Sequence, residues 1–214
     1  MKDIIIIGAG GVGKEVAFLI EEINRKRKEW NILGFIDDNN ELLGKNINGY
    51  KVLGGLKSLI NFELSQNKPY IVIAIANYGI KKKIVKELNG IFNFATIIHP
   101  NVIMPISTKV GVGSIIYPMV IITTNVVIGE HVIISPKCGI GHESIIEDYA
   151  SLLWNVNISG NDTIKKGALI GSGTTVIQGK VVGEGAVLGA GSIVIKDIKK
   201  NTTNVGVPSR EIKN

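Results

Sequence analysis

Little cysteine is present: the chain holds one, Cys138, in 214 residues. An intrachain bridge is excluded and a reducing compartment is the fitting one. Long apolar runs are missing as well. The opening run is only Ile4–Ile7 and Asp3 precedes it, which is not a secretory signal. Nowhere does the chain approach the roughly 18 apolar residues that a membrane span requires. These absences predict a cytoplasmic protein without a membrane span. Positive charge does not cluster: the net charge is +6, but Lys81–Lys83, Lys165–Lys166 and Lys199–Lys200 are dispersed, so no nucleic-acid partner is expected. What remains, 45% apolar and 20% charged residues, suits a folded chain with room for one large domain or two modest ones.

The organising feature is a repeat of six residues between Ile98 and Lys199. It holds seventeen hexapeptides, and the first residue of each, from Ile98 and Met104 to Leu188 and Val194, is apolar. The fourth is Gly or Asn in ten of them, the residues that enter the left-handed backbone region at low cost. The fifth is usually small or β-branched, as at Ser114, Cys138, Ser144, Ala150 and Thr174. A helical period of 3.6 cannot hold this phase, whereas short strands joined by corners can. The spacing predicts a parallel β-solenoid over 98–199, three hexapeptides to a triangular coil, with coils stacked about 4.8 Å apart and residues 200–214 as a tail.

Residues 1–97 follow a different pattern. The run Ile4–Ile7 leads into Gly8-Ala9-Gly10-Gly11-Val12-Gly13 and then into a helix expected from Lys14 to about Glu29. Strand, GxGxxG turn and helix in that order are the context in which the motif binds phosphate at a helix N-terminus. A second strand, Ile32–Ile36, ends in Asp37 and Asp38, where a ribose-binding acid belongs. A third, Ile71–Ala76, ends at Asn77 before a lysine-rich helix from Ile80 to Leu88. Fewer than 100 residues make about half of a dinucleotide fold, so a nucleotide diphosphate fits better than NAD. A small α/β packing domain whose glycines only make turns is the bland reading.

The repeat resembles that of the hexapeptide-repeat acyltransferases, and the N-terminal half resembles the α/β domain of the sialic acid O-acetyltransferase and bacillosamine-pathway N-acetyltransferase family. The resemblance covers both halves in the same order. It implies an α/β Rossmann-like half-domain (1–97) that holds a nucleotide-linked sugar, followed by an all-β left-handed parallel β-helix (98–199) that binds acetyl-CoA in the grooves of a homotrimer. Substrate contacts would come from Gly10, Gly11, Val12, Asp37, Asp38, Ala76 and Asn77.

Within the repeat, Gly141-His142-Glu143 matches the family's His-acid pair, in which the histidine is the general base and the acid orients it. An imidazole titrates near ~6.5 and suits proton removal from an amine. A glutamate in a corner position is expected to cost backbone strain. Alignment on this pair puts the oxyanion amide at Gly160 and the coenzyme-lining positions at Gly160, Gly171, Ser172, Gly189 and Ala190. Where relatives carry a phosphate-loop histidine, an asparagine and a coenzyme-contacting histidine, this chain has Val12, Ser135 and Ser151. His99, His131 and His142 fall on different faces, and no metal site is expected. Cys138 sits in the inward phase and reads as core.

The resulting expectation is an N-acetyltransferase acting on a nucleotide-linked amino sugar, a 4-amino-4,6-dideoxyhexose being the favoured one, for a surface polysaccharide or glycan. O-acetylation of a sugar hydroxyl and a non-catalytic nucleotide-sugar-binding solenoid are the alternatives the residues leave open.

Overall fold

Ile4, Ile5 and Ile6 are wholly buried because the strand that carries them, β1 (Lys2–Ile7), is flanked on both sides. It pairs in parallel with β2 (Trp30–Ile36) and with β5 (Tyr70–Ile73). Two further strands, β3 (Asn46–Ile47) and β4 (Tyr50–Gly54), complete a sheet of order β3-β4-β2-β1-β5. The β3–β4 hairpin is absent from the sequence reading, although its turn is the favoured Asn-Gly pair: Asn48 and Gly49 both have positive φ, 51° and 90°, as a two-residue hairpin of matching twist requires. Helix α1 (Gly11–Lys26) starts three residues earlier than expected, with Gly10 as its extended N-cap. Its buried Val16, Leu19, Ile20 and Ile23 make the i, i+3, i+4, i+7 stripe of a helix lying on a sheet.

The chain is seen here as a computed structural model that describes residues 1–59, 62 and 68–212. It divides into two compact units, Met1–Ile75 with Ile80–Ile97, and Ala76–Gly79 with Ile98–Asn214. Helix α2 (Tyr78–Leu88) opens in the second and continues in the first.

The second unit is a parallel β-helix. Two-residue strands recur every six residues, each pairing with the strand eighteen residues on, as in Val127↔Ile145 and Gly139↔Asn157. Three sheets result. From Ile116 on, the first residue of each hexapeptide points inward, so that Ile116, Ile122, Ile128, Ile134, Ile140 and their successors form one core, while Met104 is exposed. No α-helix interrupts 98–199. The coil at its start is less regular: around Ile103 and Met104 the expected strand is reduced to a bridge between Ile103 and Ile121, beside Pro105, which has no amide to give to a ladder.

Left-handed corners occur at Gly113, Asn125, Asn155, Asn161 and Gly167, and equally at Met119, His131, Lys137, Glu143 and Tyr149. Each of those five side chains costs of order 1 kcal/mol there. The strain at Glu143 is therefore shared with ordinary corners and does not by itself mark a site. The segment read as a C-terminal tail also departs from expectation. Thr203–Val205 continues the sheet beside Val187–Leu188, and Arg210–Ile212 folds back on it antiparallel.

Candidate functional site

Gly139–Ile140 ends one face of the prism, and the backbone then turns at Glu143 with φ 55°. The Glu143 amide donates to the Thr124 carbonyl of the preceding coil (2.9 Å) and the His142 carbonyl accepts from Asn161 of the following one (2.8 Å). With the backbone fixed on both sides, the two side chains leave the core and sit about half exposed. His142 Nδ1 meets Glu143 Oε2 at 2.5 Å. A carboxylate at Nδ1 places the ring proton there, which leaves Nε2 as the acceptor. Nε2 faces Gly160 in the next coil so closely that a Cβ on Gly160 would collide with the imidazole.

The Gly160 carbonyl accepts from the Gly179 amide (3.1 Å), while its own N–H donates no hydrogen bond to the described residues. The turn around it is braced from below, where Ser144 Oγ donates to the Ser159 carbonyl at 2.8 Å. A base and an unclaimed backbone donor thus stand on adjacent coils of one corner. The faces that meet at this corner carry outward apolar side chains, Ile121 on one and Val127, Ile145 and Val181 on the other, all more than a third exposed.

The other two histidines lie elsewhere. His99 Nδ1 accepts from the Asn101 amide at 3.0 Å. His131 stacks on Tyr149, with ring centroids 5.6 Å apart and planes 5° from parallel. Among the described residues no group of three or more His, Cys, Asp or Glu is arranged to hold a metal ion. Cys138 is buried, its Sγ donates to the Leu153 carbonyl at 3.0 Å, and burial pushes its thiol up to about 11, which removes it as a nucleophile.

Gly171 and Gly189 are tightly packed between coils: a Cβ on Gly171 would lie 2.6 Å from the Ala190 amide nitrogen, and one on Gly189 would lie 2.7 Å from Val205. Ser172 and Ala190 stand one above the other on a second corner, where the Gly191 amide donates to the Ser172 carbonyl and the Gly173 amide to that of Trp154. Trp154 continues this column one coil earlier, with its indole 46% exposed. Trp154 is not among the coenzyme-lining residues expected from the sequence, although it shares the eighteen-residue spacing 154, 172, 190 with Ser172 and Ala190.

In the first unit the four glycines of the phosphate-type loop separate by role. Gly8, with φ 101°, has the Ala74 carbonyl 3.0 Å from its Cβ position, and a Cβ on Gly13 would strike the Gly8 carbonyl; both are needed for packing. Gly10 and Gly11 meet nothing within 4 Å and are exposed at the N-terminus of α1, where amides are free to approach an anion. Val12 is half-buried.

Asp37 is committed to backbone, its Oδ2 accepting from Ala9 (2.8 Å) and its Oδ1 from Asn39 (2.9 Å). Asp38 accepts from the Leu56 amide through Oδ1 (2.7 Å) and is exposed. Both acids line a cleft of about 250 Å³ walled by Ile7, Ile36, Leu56, Ile75, Ile80 and Ile84. Leu56 was not foreseen, since nothing in its sequence context ties it to Asp38. Ala76 and Asn77 are not among the lining residues; they belong to the second unit, where Ser151 Oγ donates to the Ala76 carbonyl at 3.4 Å.

The sequence matches the family described as the PglD N-terminal domain over residues 3–88. No curated protein matches it. Among solved structures, WeeI from Acinetobacter baumannii is 27% identical, with 99% of this chain and 100% of that one covered and a TM-score of 0.87. The acetyltransferase domain of PglB from Neisseria gonorrhoeae is 25% identical over 99% and 100%, also with a TM-score of 0.87. A variant of the perosamine N-acetyltransferase from Caulobacter crescentus, in complex with CoA and GDP-perosamine, shares the fold at a TM-score of 0.90, covering 100% and 98% with 22% identity.

Proposed function

We propose that the chain is a hexapeptide-repeat sugar N-acetyltransferase and that it transfers acetyl from acetyl-CoA to the amino group of a nucleotide-linked amino sugar. The observation that carries the proposal is the corner at His142: an imidazole oriented by Glu143 at 2.5 Å, its Nε2 directed at Gly160, whose amide has no partner among the described residues. Those are the parts a direct transfer needs. His142 Nε2 accepts the proton of the attacking amine, Glu143 favours the imidazolium that forms, and the Gly160 N–H stabilises the oxygen that gains charge as the C–N bond forms. The C–S bond then breaks, and the thiolate leaves with the proton that His142 holds.

Gly171, Ser172, Gly189 and Ala190 are assigned to the coenzyme, and Gly10, Gly11, Val12, Asp37, Asp38, Ala76 and Asn77 to the nucleotide-linked sugar, with Asp38 the acid free to accept a hydrogen bond from it. In PglB the acetyltransferase domain has been seen with acetyl coenzyme A, and the perosamine enzyme with CoA and GDP-perosamine. A 4-amino-4,6-dideoxyhexose is the sugar we assign here. We further assign a homotrimer, in which the apolar faces beside His142 are covered by neighbouring prisms and the coenzyme occupies the groove, a cytoplasmic location, and domains at 1–97 and 98–199. No helix of the described residues is long and apolar enough to cross a membrane.

Thiol release from acetyl-CoA, measured over a panel of UDP-, dTDP- and GDP-linked 4-amino sugars and their 4-hydroxy counterparts, tests the reading. Turnover with one nucleotide class is the expected result. Release only with sugars that carry no amine would replace N-acetylation by O-acetylation, and no release with any would leave a binding module.

A further inference from the structure

A carboxyl group two residues beyond Gly160 has no place in that chemistry. Asp162 is the fifth residue of its hexapeptide, the inward position that is small or β-branched in all the others except Lys180, and it is wholly buried. In the regular coils, the hydroxyl and thiol side chains at this position donate to the carbonyl fifteen residues later: Ser114 to Gly129 (2.8 Å), Cys138 to Leu153 (3.0 Å), Ser144 to Ser159 (2.8 Å) and Thr174 to Gly189 (3.1 Å), whereas Lys180 turns its amine to the Gly179 carbonyl. Ser114 and Ser144 also accept from the amide eighteen residues later, those of Val132 and Asp162. Thr108 and Ser192, whose hydroxyls have no partner among the described residues, lie in the irregular first coil and in the last one.

Asp162 performs half of this relay. Its Oδ1 accepts from the Lys180 amide, eighteen residues on, at 2.7 Å. Among the described residues its buried Oδ2 has no hydrogen-bond partner, and the carbonyl fifteen residues on, that of Ile177, receives no donor. An ionised carboxylate has no proton to give. A protonated one carries the missing donor on the atom that lacks a partner, at the position where a hydroxyl or thiol otherwise stands.

We propose that Asp162 is held as a neutral carboxylic acid, the donor link of this corner ladder, and that it is the positioning residue for the turn that carries the Gly160 amide. That turn is held below by Ser144, through the Ser159 carbonyl and the Asp162 amide, and above by the Gly179 and Lys180 amides. Ionisation of Asp162 turns a donor into a second buried acceptor and loosens the upper side. Burial pushes its carboxyl up, against the pull of the Lys180, Ser159 and Gly179 amides and of the Lys180 charge. The other charged groups along this corner are Asp197, which accepts from the Val181 amide, and the His142–Glu143 pair on the preceding coil.

The catalytic half of the proposal rests on the acetyl-transfer reading; the protonation half does not, and the test separates them. Thermal midpoints of the whole protein and of Asp162→Asn are compared from pH 4 to 9. A carboxyl raised in the folded state contributes stability that is fully present below the unfolded aspartate value of about 3.9 and is lost as pH rises through the folded value. Asp162→Asn, whose amide is a permanent donor and acceptor, should therefore gain on the wild type as pH rises. Asp162→Ser, which reproduces the side chain of positions 114 and 144, should behave likewise. Lower midpoints for both variants at pH 7, or failure of both to fold, would show that an ionised carboxylate is what the corner needs and would overturn the proposal whether or not acetyl transfer is found.

In the second arm, kcat of the wild type should fall on the alkaline side by up to about tenfold per pH unit, as for a single ionisation, and Asp162→Asn should lack that fall. An identical alkaline fall in the variant would remove the positioning role. Absence of any thiol release in the wild type would instead sink the function and leave the thermal arm to judge the carboxyl.

Discussion

Glu143 Oε2 reaches Nδ1 of its own sequence neighbour His142 at 2.5 Å, a contact between consecutive residues made at a corner where Glu143 has a positive φ of 55°. In a regular strand the two side chains would point to opposite faces. The corner brings them to one side. His142→Ala should lower kcat by roughly 10²- to 10⁴-fold, the range for loss of a general base, with both Michaelis constants near those of the wild type. Glu143→Gln should cost less, since it keeps an acceptor for the ring and loses only the charge. Steady-state kinetics of the two variants decide this, and near-normal turnover in His142→Ala would mean that positioning alone carries the reaction.

Gly160 makes a separate prediction because its constraint is space. It is not among the residues with positive φ, so alanine is tolerated by the backbone, but the added methyl meets the imidazole of His142. Gly160→Ala should keep its circular dichroism spectrum and, by pushing the imidazole out of place while its own amide remains, lose about 10²-fold or more in kcat, the scale of losing a general base.

The adjacent acids should separate when each is replaced. Asp38→Ala should raise the Michaelis constant for the nucleotide sugar several-fold and leave that for acetyl-CoA alone. Asp37 braces the Ala9 and Asn39 amides, and Asp37→Ala should cost about 1–3 kcal/mol of stability, as loss of the partner of the buried Ala9 amide does. Denaturant titration beside kinetics distinguishes the two; equal effects on both Michaelis constants would count against the assignment of Asp38.

Lys81 is wholly buried on α2, and burial lowers its amine to about 7. An unfolded lysine titrates near 10.4, so between those values the unfolded chain binds more protons than the folded one and stability rises with pH. The wild type should therefore gain on Lys81→Met from pH 7 to pH 10, read as a narrowing difference in thermal midpoint. A difference that does not change with pH would place the folded amine at its ordinary value.

Ile145 stands outward beside the His142 corner and is 42% exposed. If neighbouring prisms cover it, Ile145→Lys should convert a trimer to smaller species in light scattering and lower turnover with them. A wild type that scatters as a stable monomer would rule out the trimer and the groove it forms.

The prism was legible because its period is independent of what surrounds it: every sixth residue from Ile98 to Val194 is apolar, and inward columns follow from that alone. The β3–β4 hairpin was lost for the opposite reason. Asn46–Ile47 is too short to show an alternation, and its Asn-Gly turn stood without flanking apolar runs. At the site, His142, Glu143 and Gly160 could be named from spacing, but not the reason that Gly160 must lack a side chain, which lies in a neighbour eighteen residues away. The contrast between Asp37 and Asp38 was equally invisible, since it is decided by which backbone amides fold onto each carboxylate. Residues 200–214 carry no hexapeptide phase, and the pairing of Thr203–Val205 and Arg210–Ile212 depends on an edge that exists only once the last coil is built.

That closing hairpin bears on how copies of the chain meet. A stack of parallel strands ends in a row of unpaired amides and carbonyls, and such a row templates addition of another chain. Here the widest of the three sheets ends in Arg210–Ile212, an antiparallel strand that carries Arg210 and Glu211 and stands outside Thr203–Val205. A chain cut before Thr203 would bare the Val187–Leu188 edge, whose register matches that of every strand beneath it, and prisms would be free to join end to end into filaments.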